Sequence, residues 1–344
     1  MKLRKTIDNG EVYFIAEMSG NHGGSLGKAL EIVRAAAEAG AHCLKTQTYT
    51  ADTITINCDA EDFQTVKGGL WEGRTLHDLY EEAHTPWEWQ LLIKEECEKF
   101  GMDFLSSVFD FSSVDYLEDL GVEAYKIASP ELVDTPLIKY AASKQKTMIM
   151  SCGMASLREI EDAVGACLSV GNDDIVLLKC TSEYPAIYSD MNIKTICDMK
   201  ERFPYTIGLS DHSMGYAVDV AAVALGAEVI EKHFCITRDD RTVDSAFSMS
   251  KQEFTDMVEQ VENAKKAIGH VSYELTEKEV KGLDGRRSLY VVADIAEGEI
   301  LTPDNIRSIR PAHGLSPKYF NEVIGRKAKR NLAFGTPLSW QDVN

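Results

Sequence analysis

The chain has 344 residues, of which 44% are hydrophobic and 26% are charged, and its formal net charge at pH 7 is −19. These values are ordinary for a folded globular protein and exclude a disordered or fibrous chain. The strong acidity also excludes nucleic acid as a partner, because phosphate backbones are bound by clustered Lys and Arg side chains.

The sequence also bears on the compartment. No run of about 18 apolar residues occurs, so no membrane-spanning helix is predicted. The first residues of the chain are charged rather than apolar, which argues against a secretory leader. Eight cysteines occur without a Cys-x-x-Cys pair, and this favours free thiols in a reducing compartment. We therefore expect a cytoplasmic protein with no membrane partner.

Short apolar segments alternate with longer helical patterns, as is typical of βαβ units and a parallel sheet. Helices are predicted between the strands, for example Ser25–Ala39 and Met214–Leu225, and each of these is followed by a glycine. Eight strands in a chain of this length predict an α/β fold of the (β/α)8 TIM-barrel type, which uses about 250 residues. The candidate strands are Val12–Glu17, His42–Gln47, Asp103–Ser107, Ala124–Ala128, Thr147–Ser151, Ile175–Cys180, Thr206–Leu209 and Val229–His233.

One connection of the predicted barrel is oversized. Residues 48–102 contain two helical stretches and an aromatic cluster, which is too much for a simple βα link. We interpret this connection as a lid or a substrate wall, with plain packing as the alternative. The cluster consists of Trp71, Tyr80, Trp87 and Trp89.

The pattern changes after the barrel. Residues 271–287 resemble a charged linker with some helix, and short strands at Ser288–Ala293 and Ile306–Arg310 are separated by turns. We expect three segments: a barrel domain over 1–270, a linker over 271–287 and a small β-rich domain over 288–344.

Polar side chains follow nearly every predicted strand, at the ends that form the active face of such barrels. Two lysines and a ring of serines can hold a small dianion, the lysines as point charges and the serines as hydroxyl donors. A single serine at a βα turn can equally be a helix N-cap, but recurrence on most strands favours binding. Serines occur in this way at Ser106-Ser107, Ser129, Ser151, Ser182 and Ser210, and the strand-end lysines include Lys45 and Lys126.

Two histidines close neighbouring strands, so that the rings of His212 and His233 can converge. Neutral imidazole suits Mn, Fe, Co or Zn, and with carboxylates nearby such a site can be completed by water and substrate oxygens. A lone histidine is more often structural, but the paired position favours a divalent-metal site.

Several strings resemble the sialic acid synthase family, and the resemblance covers essentially the full chain. Within that family the chain is most similar to the pseudaminic acid branch, and its last domain resembles the antifreeze-like SAF domain, including Ile309-Arg310-Pro311. The family strings are Ala16-Glu17 with Gly20-Asn21-His22, Lys45–Thr48, Tyr125–Ser129, Gly208–His212 and Ile230–Phe234. The branch strings are Thr46–Thr50, Gly68–Trp71, Thr85–Trp89 and Asp244–Ser248.

The resemblance implies an enzyme that forms a carbon–carbon bond. Phosphoenolpyruvate (PEP), water and 2,4-diacetamido-2,4,6-trideoxy-β-L-altropyranose would give pseudaminic acid and phosphate, with cleavage of the C–O bond of PEP. Synthesis of N-acetylneuraminate or legionaminate is the alternative within the family.

The resemblance also implies roles for single residues. Glu17 matches the catalytic carboxylate, which orients or deprotonates water. The PEP cradle would be Lys45, Lys126, Ser129, Ser151, Ser182 and Ser210, with Ser107 added. Gln47, Tyr184 and Asp244 would face the acetamido sugar. His212 and His233 would hold the metal, with Mn²⁺ preferred over Mg²⁺ or Co²⁺.

Arg310 matches an arginine that reaches a partner's barrel and contacts the acetamido group of the sugar, which implies a domain-swapped homodimer. Two departures from the family are visible. Cys152 stands where many relatives have Thr, and Ser182 stands where neuraminic acid synthases tend to have Asn, a change that fits the pseudaminic branch.

Two rival functions remain from the sequence. A Schiff-base aldolase would use Lys179 on the sixth strand, but strand alternation turns Lys179 away if Cys180 and Ser182 point inward. A non-catalytic sugar-binding protein on a decayed barrel is the second rival. The intact set of Glu17, Lys45, His212 and His233 argues against it.

Overall fold

The computed structural model describes residues 1–344, which divide into two compact units, Met1–Gly269 and His270–Asn344. The first unit is a closed barrel of eight parallel strands in chain order, so the predicted (β/α)8 barrel is confirmed. The strands are β1 (Tyr13–Glu17), β2 (Cys43–Thr48), β3 (Asp103–Val108), β4 (Ala124–Ile127), β5 (Thr147–Ser151), β6 (Ile175–Cys180), β7 (Thr206–Asp211) and β8 (Val229–His233).

Eleven helices belong to the first unit. They are α1 (Leu3–Asp8), α2 (Leu26–Glu38), α3 (Ala51–Ile54), α4 (Leu76–Ala83), α5 (Trp87–Lys99), α6 (Phe111–Asp119), α7 (Thr135–Ser143), α8 (Leu157–Leu168), α9 (Thr195–Arg202), α10 (Ala217–Ala224) and α11 (Lys251–Ile268). The oversized connection between β2 and β3 thus contains α3, α4 and α5.

Strand alternation divides the barrel into two buried layers, because successive side chains of a strand point to opposite faces. On β1, Tyr13 and Ile15 belong to the cluster inside the barrel, whereas Phe14 and Ala16 belong to the layer between strands and helices. Glu17 follows Tyr13 and Ile15 in this alternation. It therefore points into the barrel at the carboxyl end of β1, where the active face lies.

The second unit contains α12 (Glu277–Lys281), β9 (Ser288–Val291), β10 (Ile306–Ile309) and α13 (Phe320–Val323). The two strands pair antiparallel, and isolated bridges add further short ladders around them. A small core of its own, which includes Leu289, Leu301 and Leu338, lies within this unit. Residues 271–287, the predicted linker, group with this unit.

The structure also bears on the predicted free thiols and the predicted lack of a membrane-spanning helix. All eight cysteines are free. Across residues 1–344, no helix combines the length and the apolar character needed to cross a bilayer.

A buried ion-pair network joins β7 and β8 on the outer face of the barrel. Lys232 Nζ donates to Asp211 Oδ2, to the Gly215 carbonyl at 2.6 Å and to Asp219 Oδ2 at 3.2 Å. The three charged side chains are at most 1% exposed. Asp211 and Lys232 directly precede His212 and His233, so this network fixes the two strand ends that carry the imidazoles.

Replacing Lys232 by Met is expected to lower the free energy of unfolding by about 3–5 kcal/mol, because it leaves two buried carboxylates without a countercharge. Denaturant unfolding at neutral pH measures this change. Lys251→Met is the matched control, since Lys251 pairs with Glu38 at the surface and its loss should cost less than about 1 kcal/mol. An equal loss of unfolding free energy in the two variants would contradict a stabilising role of the buried network.

Candidate active site

Inward side chains of β1, β2, β4 and β8 meet in one buried charge cluster at the carboxyl end of the barrel. Lys45 Nζ lies 2.7 Å from Glu231 Oε1 and 3.4 Å from Glu17 Oε2. Lys126 Nζ lies 3.8 Å from Glu231 Oε1. The four side chains are at most 6% exposed. The structure therefore brings Glu17, Lys45 and Lys126 together, as the sequence predicts.

Glu231 receives no role from the sequence alone, yet it is the hub of this cluster. Burial opposes its charge, but Lys126 and Lys45 outweigh burial and lower the pKa of Glu231 to about 2. Ser210 Oγ also donates to Glu231 Oε1 at 3.0 Å. The signal that could have found it is the alternation of β8, which places Glu231 on the same inward face as Val229 and His233.

Glu17 has one oxygen that accepts a hydrogen bond and one whose nearest charged partner is Lys45 Nζ at 3.4 Å. Its Oε1 accepts from Gln47 Nε2 at 2.8 Å, whereas the buried Oε2 has no hydrogen-bond partner. Burial raises the pKa of Glu17 to about 7, against the opposing effect of Lys45. A carboxyl group with this pKa can accept or release a proton near neutral pH, which suits general acid–base chemistry.

Several of the predicted serines have partners at the same strand ends as the lysines. Lys126 Nζ donates to Ser151 Oγ at 2.7 Å, and Ser107 is the register partner of Lys126 on the neighbouring strand. Ser129 Oγ accepts from the Gly153 amide at 3.0 Å. Burial lowers the pKa of Lys126 to about 8, so its ammonium group still predominates at pH 7.

Gly153 is a second residue that sequence reasoning does not assign. A Cβ atom at this position would lie 2.4 Å from Ser182 Oγ and 2.7 Å from Ser129 Oγ. Only a glycine therefore lets these two hydroxyls approach the backbone, which leaves a small polar cradle at the end of β5. The signal in the sequence is a glycine two residues after the last serine of a strand.

The two histidines of the predicted metal site converge, with ring centroids 5.3 Å apart. His212 Nδ1 lies 2.9 Å from the Thr181 carbonyl and donates to it, so Nε2 remains as an acceptor. His233 Nδ1 is buried without a hydrogen-bond partner. Burial, followed by the charge of His212, lowers the pKa of His233 well below its usual value, so its ring is neutral.

These features fit two imidazole donors of a divalent ion, since neutral imidazole is a common metal ligand and a backbone carbonyl fixes the tautomer of His212. Glu17 and Glu231 lie in the neighbouring cluster, but no group of three His, Cys, Asp or Glu side chains is arranged to hold a metal. The pair therefore fits an open site completed by water or substrate oxygens rather than a closed structural site.

A cavity of about 620 Å³ opens beside this cluster, and Gln47, Ser182, Tyr184, His233 and Asp244 are among the residues that line it. Gln47 Nε2 donates to Ser19 Oγ at 3.1 Å as well as to Glu17. Asp244 Oδ2 accepts from the Gly20 amide at 3.2 Å, and burial raises its pKa. The predicted sugar-facing residues Gln47, Tyr184 and Asp244 thus line the same cavity.

Arg310 and Lys179, two residues singled out from the sequence, are not among the residues that line the cavity. Arg310 belongs to the second unit, where its side chain is exposed directly after β10 and makes no ion pair. Lys179 Nζ donates to the Cys180 carbonyl at 2.6 Å and to Thr181 Oγ1 at 3.1 Å. Cys180, by contrast, lies 3.8 Å from Ser182 Oγ, so the alternation that turns Lys179 away from the cluster is present.

Known proteins resemble this chain over nearly its whole length. It is 44% identical to the pseudaminic acid synthase of Campylobacter jejuni over 96% of each chain, and 34% identical to the N,N'-diacetyllegionaminic acid synthase of Legionella pneumophila over 96% and 94%. The crystal structure of an N-acetylneuraminic acid (sialic acid) synthetase from Leptospira borgpetersenii, in complex with citrate, matches with a TM-score of 0.69 and 33% identity, over 79% of this chain and 90% of that chain.

Family models match both units. The NeuB family model matches residues 32–273, and the SAF domain model matches residues 286–344. The resemblance of the motifs to sialic acid synthases and of the last domain to the antifreeze-like SAF domain is confirmed by these matches. The chain therefore belongs to the NeuB family and carries a C-terminal SAF domain.

Proposed function

We propose that the protein condenses PEP, water and 2,4-diacetamido-2,4,6-trideoxy-β-L-altropyranose to pseudaminic acid and phosphate. The observation that carries the proposal is the buried cluster of Glu17, Lys45 and Lys126 beside two converging imidazoles, at the mouth of one barrel. The higher identity to a pseudaminic acid synthase than to a legionaminic acid synthase supports the choice of product.

PEP would be held by charge and by hydroxyl donors. Lys45 and Lys126 supply two positive charges in a buried place, where a charge-assisted hydrogen bond is strong. One negative charge from Glu231 keeps the lysines protonated without cancelling both of them. The hydroxyl donors would be Ser107, Ser129, Ser151, Ser182 and Ser210.

The carbon chemistry follows from the two substrates. The methylene carbon of PEP attacks the aldehyde carbon of the open sugar, and the aldehyde oxygen takes a proton to become a hydroxyl. Water then adds to the positively charged enol carbon, and phosphate leaves with the bridging oxygen as the C–O bond breaks. Glu17 would accept the proton of this water through Oε2, which accepts no hydrogen bond from the protein, and would stabilise the positive charge at that carbon.

A divalent ion held by His212 and His233, with Mn²⁺ preferred over Mg²⁺ or Co²⁺, would polarise the sugar aldehyde as a Lewis acid. The protein's contribution is to orient both imidazoles and to keep the ring of His233 neutral. The Thr181 carbonyl fixes the tautomer of His212, and burial keeps His233 unprotonated.

The sugar would bind in the cavity against Gln47, Tyr184 and Asp244. Comparing phosphate release from PEP with the altrose derivative, its legionaminic counterpart and N-acetylmannosamine tests the proposal. We expect the altrose derivative to give the highest kcat/KM. Phosphate release with none of the three sugars would overturn the proposal. A covalent adduct on Lys179 after treatment with pyruvate and borohydride would favour the Schiff-base aldolase instead.

The cradle at Gly153 gives a prediction about PEP. Gly153→Ala is expected to raise the KM for PEP by about 10- to 100-fold, because the new methyl group displaces the hydroxyls of Ser129 and Ser182. Steady-state kinetics with varied PEP measure it. Gly165→Ala, in helix α8 with open space around it, is the control and should leave the KM unchanged. Similar KM values for the two variants would contradict a role for the cradle.

We also propose a domain-swapped homodimer in which Arg310 contacts the acetamido group of a sugar bound to the partner's barrel. Arg310→Ala should then raise the KM for the sugar by about 10- to 1000-fold, as for loss of a charged donor, with little effect on PEP. Co-expression with Glu17→Gln tests the swap, because only a swapped hybrid contains one barrel with both Glu17 and Arg310. No recovery of activity in the hybrid would contradict it.

A cytoplasmic location is part of the same proposal. All eight thiols are free, and a reducing compartment preserves that state. Cell fractionation should recover the PEP-dependent activity with cytoplasmic markers, and recovery with the periplasm or the culture medium would contradict the location.

A further inference from the structure

The connection between β2 and β3 carries a small structured excursion over residues 64–75. Gln64 and Thr75 form an antiparallel bridge, and Thr65 Oγ1 donates to the carbonyls of Trp71 and Arg74 at 2.7 and 3.0 Å. These contacts close the excursion on itself. Trp71 is therefore presented by a folded loop and not by a free one.

The indole of Trp71 is fixed at the cavity. Its Nε1 donates to the Val243 carbonyl at 3.1 Å, directly before Asp244. Its ring lies 6.1 Å from Tyr184 and 6.4 Å from Phe247, measured between centroids. The single polar atom of the indole is satisfied by this bond, so the remainder of the ring offers the cavity an apolar surface.

Apolar side chains continue this surface. Val66 and Leu70 line the cavity and are 79% and 49% exposed, so large hydrophobic groups stand uncovered at its entrance. Leu79 and Phe247 line it deeper down and are buried. We call Val66, Leu70, Trp71, Leu79 and Phe247 the Trp71 wall. An uncovered apolar wall inside a binding cavity indicates a ligand with an apolar face.

The same cavity also has polar lining residues. Ser19, Gln47 and Asp244 line it; Gln47 donates to both Ser19 and Glu17, and Asp244 accepts from the Gly20 amide. A ligand that fits this cavity carries both hydrogen-bonding groups and methyl groups. A hydroxyl against the Trp71 wall would lose its bonds to water and gain none from these side chains.

We propose that the Trp71 wall selects sugars that are deoxygenated at C6 and carry acetamido methyl groups, and discriminates against their C6-hydroxylated counterparts. This inference rests on the proposed synthase reaction and adds the feature of the sugar that the cavity recognises. Trp71 is in this view a specificity-determining residue and takes no part in proton transfer.

Competition kinetics with the full-length enzyme test it, using the 2,4-diacetamido-2,4,6-trideoxy sugar and its 6-hydroxy counterpart. We expect the wild-type protein to prefer the deoxy sugar by about 10- to 100-fold in kcat/KM. Trp71→Ala should reduce this preference to a few-fold with the KM for PEP unchanged. Leu70→Ala, at a half-exposed site that bears little on folding, should reduce it partially. Leu91→Ala, on the exposed face of α5, should leave it unchanged.

The possible failures are distinguishable. A wild-type enzyme that uses both sugars equally, or Trp71→Ala and Leu70→Ala variants that keep the full preference, would overturn the specificity role and leave the synthase reaction standing. Absence of phosphate release with both sugars would overturn the synthase reaction, and the inference with it.

Discussion

Glu17→Gln is expected to lower kcat by about 10²–10⁴-fold, the range for loss of a general acid–base group. The substitution keeps the shape of the side chain and an oxygen that can accept from Gln47 Nε2. It replaces by an NH2 group the oxygen that accepts no hydrogen bond from the protein and lies 3.4 Å from Lys45 Nζ, and we propose that this oxygen accepts the proton of water. The KM for PEP should change little, because Lys45 and Lys126 retain Glu231 as their shared partner.

Steady-state kinetics and calorimetric titration of PEP separate these two effects. Glu96→Gln is a matched control, since Glu96 is also a buried glutamate but pairs with Arg34 and Lys99 on the outside of the barrel. That variant should lose stability without losing kcat. Unchanged turnover in Glu17→Gln would remove this residue from the chemistry.

His233→Ala is expected to abolish metal-dependent turnover, a loss of about 10³-fold or more, because a Lewis acid supplies several kcal/mol of transition-state stabilisation. The imidazole has a buried Nδ1 without a protein partner and lies beside His212 at the cavity. The fold should persist, since removal of this ring breaks no hydrogen bond of its side chain.

Binding of Mn²⁺ measured by calorimetry gives a readout that is independent of turnover, and circular dichroism monitors the fold. His270→Ala, an exposed histidine of the second unit, is the control and should bind the ion as the wild-type protein does. Activity retained by His233→Ala in rigorously metal-free buffer would refute the assignment.

Strand alternation explains why so much of the barrel and its charge cluster is predictable. Glu17 and Lys45 each continue the inward series of an apolar strand, so a polar residue at the end of that series points to the active face. The strand positions are predictable for the same reason, and their ends differ by only one or two residues, as at β7, which continues to Asp211.

The roles of Gly153 and Trp71 could not be predicted from the sequence, because they depend on contacts between distant parts of the chain. Gly153 is required because the hydroxyls of Ser129 and Ser182, which follow the neighbouring strands, lie close to its backbone. The position of Trp71 depends on a hydrogen bond to Val243, which is 172 residues away in sequence. A local pattern does not encode such distances, so the oversized connection could be interpreted from sequence only as a lid, a wall or plain packing.

The fate of the bridging oxygen of PEP directly tests the proposed cleavage of the C–O bond. PEP labelled with ¹⁸O at the C2 oxygen is incubated with the protein, Mn²⁺ and the trideoxy altrose derivative, and both products are analysed by mass spectrometry. We predict that the label appears in inorganic phosphate and that the new sugar acid carries an oxygen from water. Label retained in the sugar acid, or no sugar acid at all, would contradict the proposed chemistry.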